Sequence, residues 1–270
     1  MDCSKYLAAL DLKADYAECP YCGATFPLGK NGSGFCSFCE GFYDESVEAG
    51  REDDLAQMAG LHSFIKKGAL SELEKALASL QPKTLDPFTL FAKGSFYRYL
   101  SNYRYYDLDY NRQGFMEENS SNIYESLDLT AKYKEFFYKA IKVSKEKYSA
   151  SPNEILQYMQ FITNLKLKRR FQAGLALREM KTSAKNRELL DYSEMAYLAE
   201  SADGNALEMI GRLSEAGNLN SLYYLGEYLV LKKLFKDAEH VLQALIDKVE
   251  MHEAAYLLHR VRTFIDETSL

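Results

Sequence analysis

Tryptophan is absent from this chain of 270 residues, and proline occurs only 5 times. Two of the prolines, Pro20 and Pro27, sit near the N-terminus, so little remains to break helices farther on. Histidine is scarce as well: His62, His240, His252 and His259 are scattered. His252 and His259 fall near one face of a predicted helix but have no acidic partner at ligand spacing, which favours a surface or seam role over a metal site. No uncharged apolar run nears the roughly 20 residues of a membrane span; the longest stretch, Leu219 to Leu231, is broken by Asn220 and Glu227. Met1-Asp2-Cys3-Ser4-Lys5 is not the basic-then-apolar start of a secretory signal, so a cytoplasmic protein is expected. Catalytic signatures are missing too. There is no G-x-x-x-x-G-K-S/T phosphate loop, no G-x-G-x-x-G, no H-E-x-x-H and no G-x-S-x-G. The expectation is a non-enzyme.

What is present is the composition of a folded globular chain, 47% hydrophobic and 27% charged. With 21 Tyr and 15 Phe, aromatic packing falls to rings of which many carry a hydroxyl that needs a partner or water, as at helix seams that reach the surface. The net charge of −6 is unevenly spread. Acids dominate residues 1–45, bases dominate 139–187, and the C-terminal third turns acidic again.

Of the 5 Cys, four form two C-x-x-C pairs: Cys19-Pro20-Tyr21-Cys22-Gly23 and Cys36-Ser37-Phe38-Cys39-Glu40-Gly41. This spacing lets both thiolates of a pair meet one ion while backbone N–H groups of the turn point at sulfur. Gly23 and Gly41 stand where the chain leaves each turn in conformations other residues resist. Four sulfurs make the closed tetrahedron of a structural zinc site, with Cys19, Cys22, Cys36 and Cys39 as ligands of Zn²⁺. Cys3 lies outside the pattern as a free thiol. Between the pairs, Ala24–Leu28 and Ser33–Phe35 read as strands joined through Asn31-Gly32, a strong hairpin signal, with Phe42-Tyr43 as a third strand.

The Cys-Pro-x-Cys-Gly knuckle resembles those of zinc-ribbon proteins and of rubredoxins, over about 30 residues. Rubredoxin-type iron uses the same ligands with knuckles usually much farther apart. A catalytic zinc would keep an open position, which four Cys do not leave. A thioredoxin-like pair would need a βαβ setting. Ribbons that touch nucleic acid carry basic residues around the knuckles. This one is acidic, and four thiolates with one Zn²⁺ add two negative charges, so a structural or protein-contacting role is favoured.

From about Val47 onward the punctuation is helical. Ser71-Glu72-Leu73-Glu74 reads as a capping box, Asp86-Pro87 as an N-cap followed by a first-turn proline, and Asn122-x-x-Glu125 and Ser151-Pro152-Asn153-Glu154 as further starts. Gly217-Asn218 suits a helix end. Leu55, Met58, Leu61, Phe64 and Ile65 mark one apolar face; Ile123, Leu127, Ala131, Phe137 and Ile141 mark another.

The C-terminal third carries an echo in Ala196-Tyr197-Leu198-Ala199, Tyr223-Tyr224-Leu225-Gly226 and Ala255-Tyr256-Leu257-Leu258. The junction from Ser214 to Tyr228 resembles that between units of tetratricopeptide-like repeats of the Sel kind, with Tyr228 one position early. Leu222, Leu225, Gly226, Ala238 and Leu242 fall at the spacings such a unit uses, the small residues letting paired helices approach. The resemblance spans residues 185–263. Ala92-x-Gly94 with Phe91 and Phe96-Tyr97 is a candidate earlier unit.

The expected fold is mainly α: a small N-terminal zinc ribbon with a short β-hairpin over residues 1–46, then an α-solenoid of helical hairpins over 47–270. The resemblance implies a non-catalytic interaction adaptor or scaffold that holds a protein or peptide on its helical surface. The alternative is a nucleic-acid-associated protein using the basic segment 139–187. Within that segment Lys166, Lys168, Arg169 and Arg170 are the candidate contacts for an anionic partner. The same cluster could face solvent at a helix end or pair with the acidic ribbon or the acidic C-terminal third. Cys22→Ser is expected to unfold residues 19–39 and leave the helices largely intact.

Overall fold

The computed structural model describes residues 1–44, 52–80, 86–110, 120–151 and 153–268. The expected boundary at 46/47, Pro152, and the side chains of Leu55, Asn122, Ile123 and Glu125 lie outside the described residues. The described chain is mainly helical, with two small antiparallel hairpins near the N-terminus. It opens with α1 (Ser4–Leu7) and a 3-10 turn (Ala8–Asp11). The strands β1 (Tyr16–Glu18), β2 (Thr25–Pro27), β3 (Gly34–Phe35) and β4 (Phe42–Tyr43) follow. Then come α2 (Glu52–Lys66), α3 (Leu70–Ser79), α4 (Pro87–Tyr110) and α5 (Ser120–Ala150). The remainder is α6 (Glu154–Lys166), α7 (Arg170–Ser183), α8 (Arg187–Ala199), α9 (Ala206–Glu215), α10 (Asn220–Leu231), α11 (Phe235–Ile246) and α12 (His252–Thr268).

The strands do not pair as the sequence suggests. β1 pairs with β2, Ala17 opposite Phe26, and β3 pairs with β4, Phe35 opposite Phe42. Each hairpin is therefore closed by its own Cys turn. The physical reason is that each C-x-x-C turn reverses the chain by itself and already fixes the register of its flanks. Asn31-Gly32 forms only a local turn, in which Gly29 N–H donates to the Ser33 carbonyl at 2.8 Å and Gly32 N–H to Gly29 at 3.1 Å.

Helix starts follow the capping logic unevenly. The Asp86 carboxylate accepts from the N–H groups of Phe88 and Thr89, both at 3.0 Å, and Asn153 and Asn186 cap α6 and α8 through their side chains. The capping box at Ser71 does not form: α3 begins at Leu70 with Ala69 as N-cap and no side-chain cap, because the helix starts two residues earlier and Ser71 already lies inside it. At the end of α9, Gly217 has φ +90°, its N–H reaches the Ser214 carbonyl and the Asn218 N–H the Leu213 carbonyl, the paired bonds of a Schellman stop.

The helices stack as antiparallel pairs: α4/α5, α6/α7, α8/α9 and α10/α11, with α12 against α11. Small residues set the approach where the sequence places them. A Cβ at Gly226 would lie 2.6 Å from Leu242 Cδ2, and one at Gly94 would lie 2.5 Å from the Phe137 ring. Leu222, Leu225, Ala238 and Leu242 are all fully buried. The α5 stripe differs from the expected one. Phe137 and Ile141 are buried as expected, but Leu129, Ala140 and Ser144 turn inward with them, while Leu127 and Ala131 are exposed. The long α4–α5 contact selects that stripe, Phe91 stacking on Phe137 and Tyr97 on Phe136.

The Cys module is not appended to one end of this stack. Phe26, Phe35, Phe38 and Phe42 enter the same continuous core as the helices. Phe35 stacks on Tyr192 with centroids 3.7 Å apart, Tyr21 on Phe88 at 4.6 Å, and Phe38 packs on Phe96 at 4.7 Å. Among the described residues, no helix is long and apolar enough to cross a membrane.

Candidate metal centre

The two turns superimpose in their bonding. Cys19 N–H donates to the Ala24 carbonyl and Gly23 N–H to Cys19; in the second turn Cys36 N–H donates to Gly41 and Glu40 N–H to Cys36, all between 2.8 and 2.9 Å. Phe38 N–H and Gly41 N–H point at the sulfurs of Cys36 and Cys39, at 3.4 and 3.3 Å. The turns face each other so that Cys19 Sγ lies 3.6 Å from Cys39 Sγ, and Cys22 Sγ lies 3.7 Å from Cys36 Sγ. All four sulfurs are within 4.8 Å of one another, and all four residues are 0% exposed. A tetrahedron of metal–sulfur bonds of about 2.3 Å has edges of about 3.8 Å, so the donor set fits one tetrahedral ion. Burial pushes the Cys22 and Cys39 thiols well above the ordinary range; Cys36, equally buried, is held down by hydrogen bonds from the other thiols. Cys22 and Cys39 thus resist ionisation on their own, and a divalent ion bound between the sulfurs is what would ionise them.

The left-handed positions of the two turns are Gly23, φ +72°, and Glu40, φ +62°. Gly41 is therefore not the conformational glycine expected from the motif. It is needed for close approach, since a Cβ there would lie 2.1 Å from Tyr21 Cδ2 and 3.2 Å from Cys39 Sγ. Holding a non-glycine residue left-handed costs roughly 1–2 kcal/mol. What offsets it is the position this gives the Glu40 side chain.

Glu40 projects into the helical stack. Its Oε1 lies 2.6 Å from Lys166 Nζ, its Oε2 accepts from the hydroxyls of Tyr192 and Tyr224 at 2.7 Å each, and its carbonyl accepts from Tyr158 at 2.7 Å. Tyr158, Tyr192 and Tyr224 lie on α6, α8 and α10, the first helices of three successive pairs. Lys166 also lies 3.6 Å from Glu253 on α12, which pairs at 3.0 Å with Arg98 on α4. Two acids and two bases balance. Their side chains are only 5–16% exposed, so a partner missing from this set would leave a buried charge. Burial would raise the Glu40 and Glu253 carboxyls. Lys166 and the tyrosine hydroxyls hold Glu40 below the ordinary glutamate value, and Arg98 with Lys166 holds Glu253 well below it.

Further bonds tie the module to the helices. His62 Nε2 donates to the Cys22 carbonyl at 3.1 Å, Asn220 to the Cys36 carbonyl at 3.3 Å, and the Lys30 N–H to the Ala216 carbonyl at 2.9 Å. Glu188 on α8 accepts from Asn31 at 2.6 Å and from the Ser33 hydroxyl. The Phe38 ring packs against His62 and His252 beside a cleft of about 760 Å³ that lies between the module, α2, α4 and the start of α12.

The four basic candidates are not brought together. Lys166 is inside, committed to Glu40 of the Cys module and to Glu253 of the C-terminal third. Lys168 is exposed and pairs with Glu200 at 2.9 Å; Arg169 lies over the Tyr138 ring and Arg170 over Tyr197. Other bases of the segment are paired as well, Lys147 with Asp86, Lys181 with Glu194 and Arg187 with Asp191. His252 Nε2 lies 3.5 Å from Glu253, a seam position. Glu40, Tyr158, Tyr192 and Tyr224 escape the motif search. A signal exists for Glu40, an acid in the slot where the first turn has glycine, but nothing local says which helices receive it.

No family model, no curated protein and no solved structure matches this chain.

Proposed function

We propose that this protein is a non-catalytic interaction scaffold whose helical stack is organised around a structural zinc ion held by Cys19, Cys22, Cys36 and Cys39. One observation carries the reading. The first helices of three successive pairs already grip a short chain segment, Phe35 by stacking on Tyr192 and Glu40 by Lys166 and two tyrosine hydroxyls. That is the chemistry of a peptide-holding surface, and a tetratricopeptide-like stack uses its inner helices in this way. The closed four-sulfur set supports a structural ion, since it leaves no position for substrate or water. Zinc fits the all-thiolate tetrahedral donor set.

The test joins metal analysis to partner retention. One zinc per purified chain, with cobalt substitution giving the visible spectrum of a tetrahedral sulfur site, is expected. A protein companion that stays stoichiometric after nuclease treatment and at high salt supports the scaffold. Nucleic acid that is retained at low salt and lost at high salt would move the function to the exposed bases of segment 139–187.

A further inference from the structure

The chain's own segment shows what the inner face recognises. Between Phe35 and Glu40 the backbone makes one tight turn. It places an aromatic ring flat on Tyr192 and a carboxylate between Lys166, Tyr192 and Tyr224. Asn220 reads the Cys36 carbonyl and Tyr158 the Glu40 carbonyl, so main chain and side chain are both held. The receiving groups come from α6, α8 and α10, whereas the conformation of the occupant is set by the second knuckle. Glu40 directly follows the ligand Cys39, and its left-handed φ is part of the hydrogen-bonded turn that presents Cys36 and Cys39.

We propose that the face formed by α6, α8 and α10 is a recognition site for an aromatic–acidic protein segment. The metal-loaded knuckle fills it as an internal ligand, and a partner segment of the same chemistry takes it when the metal leaves. The occupant is argued from charge and shape. Lys166 is buried beside Glu253, which Arg98 already pairs, so its remaining partner must be an anion, and the two tyrosine hydroxyls donate to that same anion. Four metal–sulfur bonds preorganise the internal segment. Without them the segment must be ordered at the moment of binding, and its advantage over a competitor falls to that of a flexible tether. The inference rests on the scaffold reading and adds what the scaffold binds and when.

The probe is a fluorescein-labelled peptide of residues 33–43 with Cys36→Ser and Cys39→Ser, which cannot take metal. Anisotropy titrations use the full chain, metal-loaded and after chelation, with helix content followed by circular dichroism. The expected result is binding at least tenfold tighter to the metal-free chain. It should weaken about tenfold with Glu40→Gln in the peptide, and that discrimination should vanish in a Lys166→Met chain. Equal binding to both forms, no binding to a metal-free chain that keeps its helices, or indifference to Glu40→Gln overturns the proposal. If chelation melts the helices, the metal-loaded Glu40→Ala chain replaces that arm. Acetate should raise its melting temperature, and should not raise that of Glu40→Ala with Lys166→Met; the same response in both overturns carboxylate recognition at this site. Neither arm depends on a cellular companion, so the scaffold reading stands or falls separately on partner retention.

Discussion

Glu40 occupies in the second Cys turn the position that Gly23 occupies in the first, both left-handed, with φ of +62° and +72°. The two turns make the same backbone bonds, so one strained non-glycine residue in an otherwise equivalent pair marks a place where the side chain matters more than the strain. It is this carboxylate that closes the buried set of Lys166, Glu253 and Arg98.

The first prediction concerns that pair. Glu40→Gly relieves the backbone but leaves Lys166 buried without its nearest anion, so a net loss of about 3–5 kcal/mol is expected. Combining it with Lys166→Met should recover much of the loss, because the uncompensated charge goes with it. Urea unfolding of the four chains measures the coupling. Simple additivity would mean that the 2.6 Å contact does not govern stability.

Metal removal should act beyond the module. Phe26, Phe35, Phe38 and Phe42 lie in the core shared with the helices, which revises the expectation that Cys22→Ser would spare them. Chelation or Cys22→Ser is now expected to release the module and, with its aromatic rings gone from the shared core, to lower the melting temperature of the helices that remain. An unchanged helical transition in a metal-free chain would show that the two parts fold independently.

Much of this was legible locally. The C-x-x-C spacing places the ligands because a tight turn is a property of a few adjacent residues, and Gly226 with Leu242 is legible because a helical pair is a repeat of short period. The strand pairing departs from the local signal because the Cys turns override Asn-Gly. Lys166 was read within a run of bases, yet its partner Glu40 lies far away in sequence. Whether a lysine faces water or a buried glutamate is decided by tertiary packing alone, and no spacing rule records it.

The α10–α11 contact gives a steric prediction. Gly226→Ala places a methyl 2.6 Å from Leu242 Cδ2 and should destabilise by about 1–3 kcal/mol. The clash involves Leu242 Cγ, at 2.9 Å, as well as Cδ2, but no backbone atom, so Leu242→Met, which is unbranched at Cγ, should absorb part of it. Thermal melts of the single and double variants test this. A double variant no better than the sum of its parts would put the strain in the backbone instead.

Glu227 yields a pH dependence opposite in sign to that of the buried Glu40 set. It lies on α10, accepting from Tyr223 at 2.8 Å through Oε1, while Oε2 is buried without a hydrogen bond. Burial raises its carboxyl to about 7, with Lys168 opposing and Glu200 adding to the shift. The folded chain therefore keeps a proton that the unfolded chain releases near the ordinary glutamate value. The stability this gives is complete below that value and declines as pH rises toward 7. Glu40 and Glu253, held low, behave conversely: their contribution is present above the ordinary glutamate value and fades as pH falls through their folded values. Glu227→Gln keeps the shape and removes the titration. Its stability relative to the parent should rise from pH 5 to about pH 7 and level off by pH 8, measured as the difference in urea midpoints so that other titrating groups cancel. A difference that stays flat across that range would place Glu227 in contact with water or with a cation that keeps it ionised throughout.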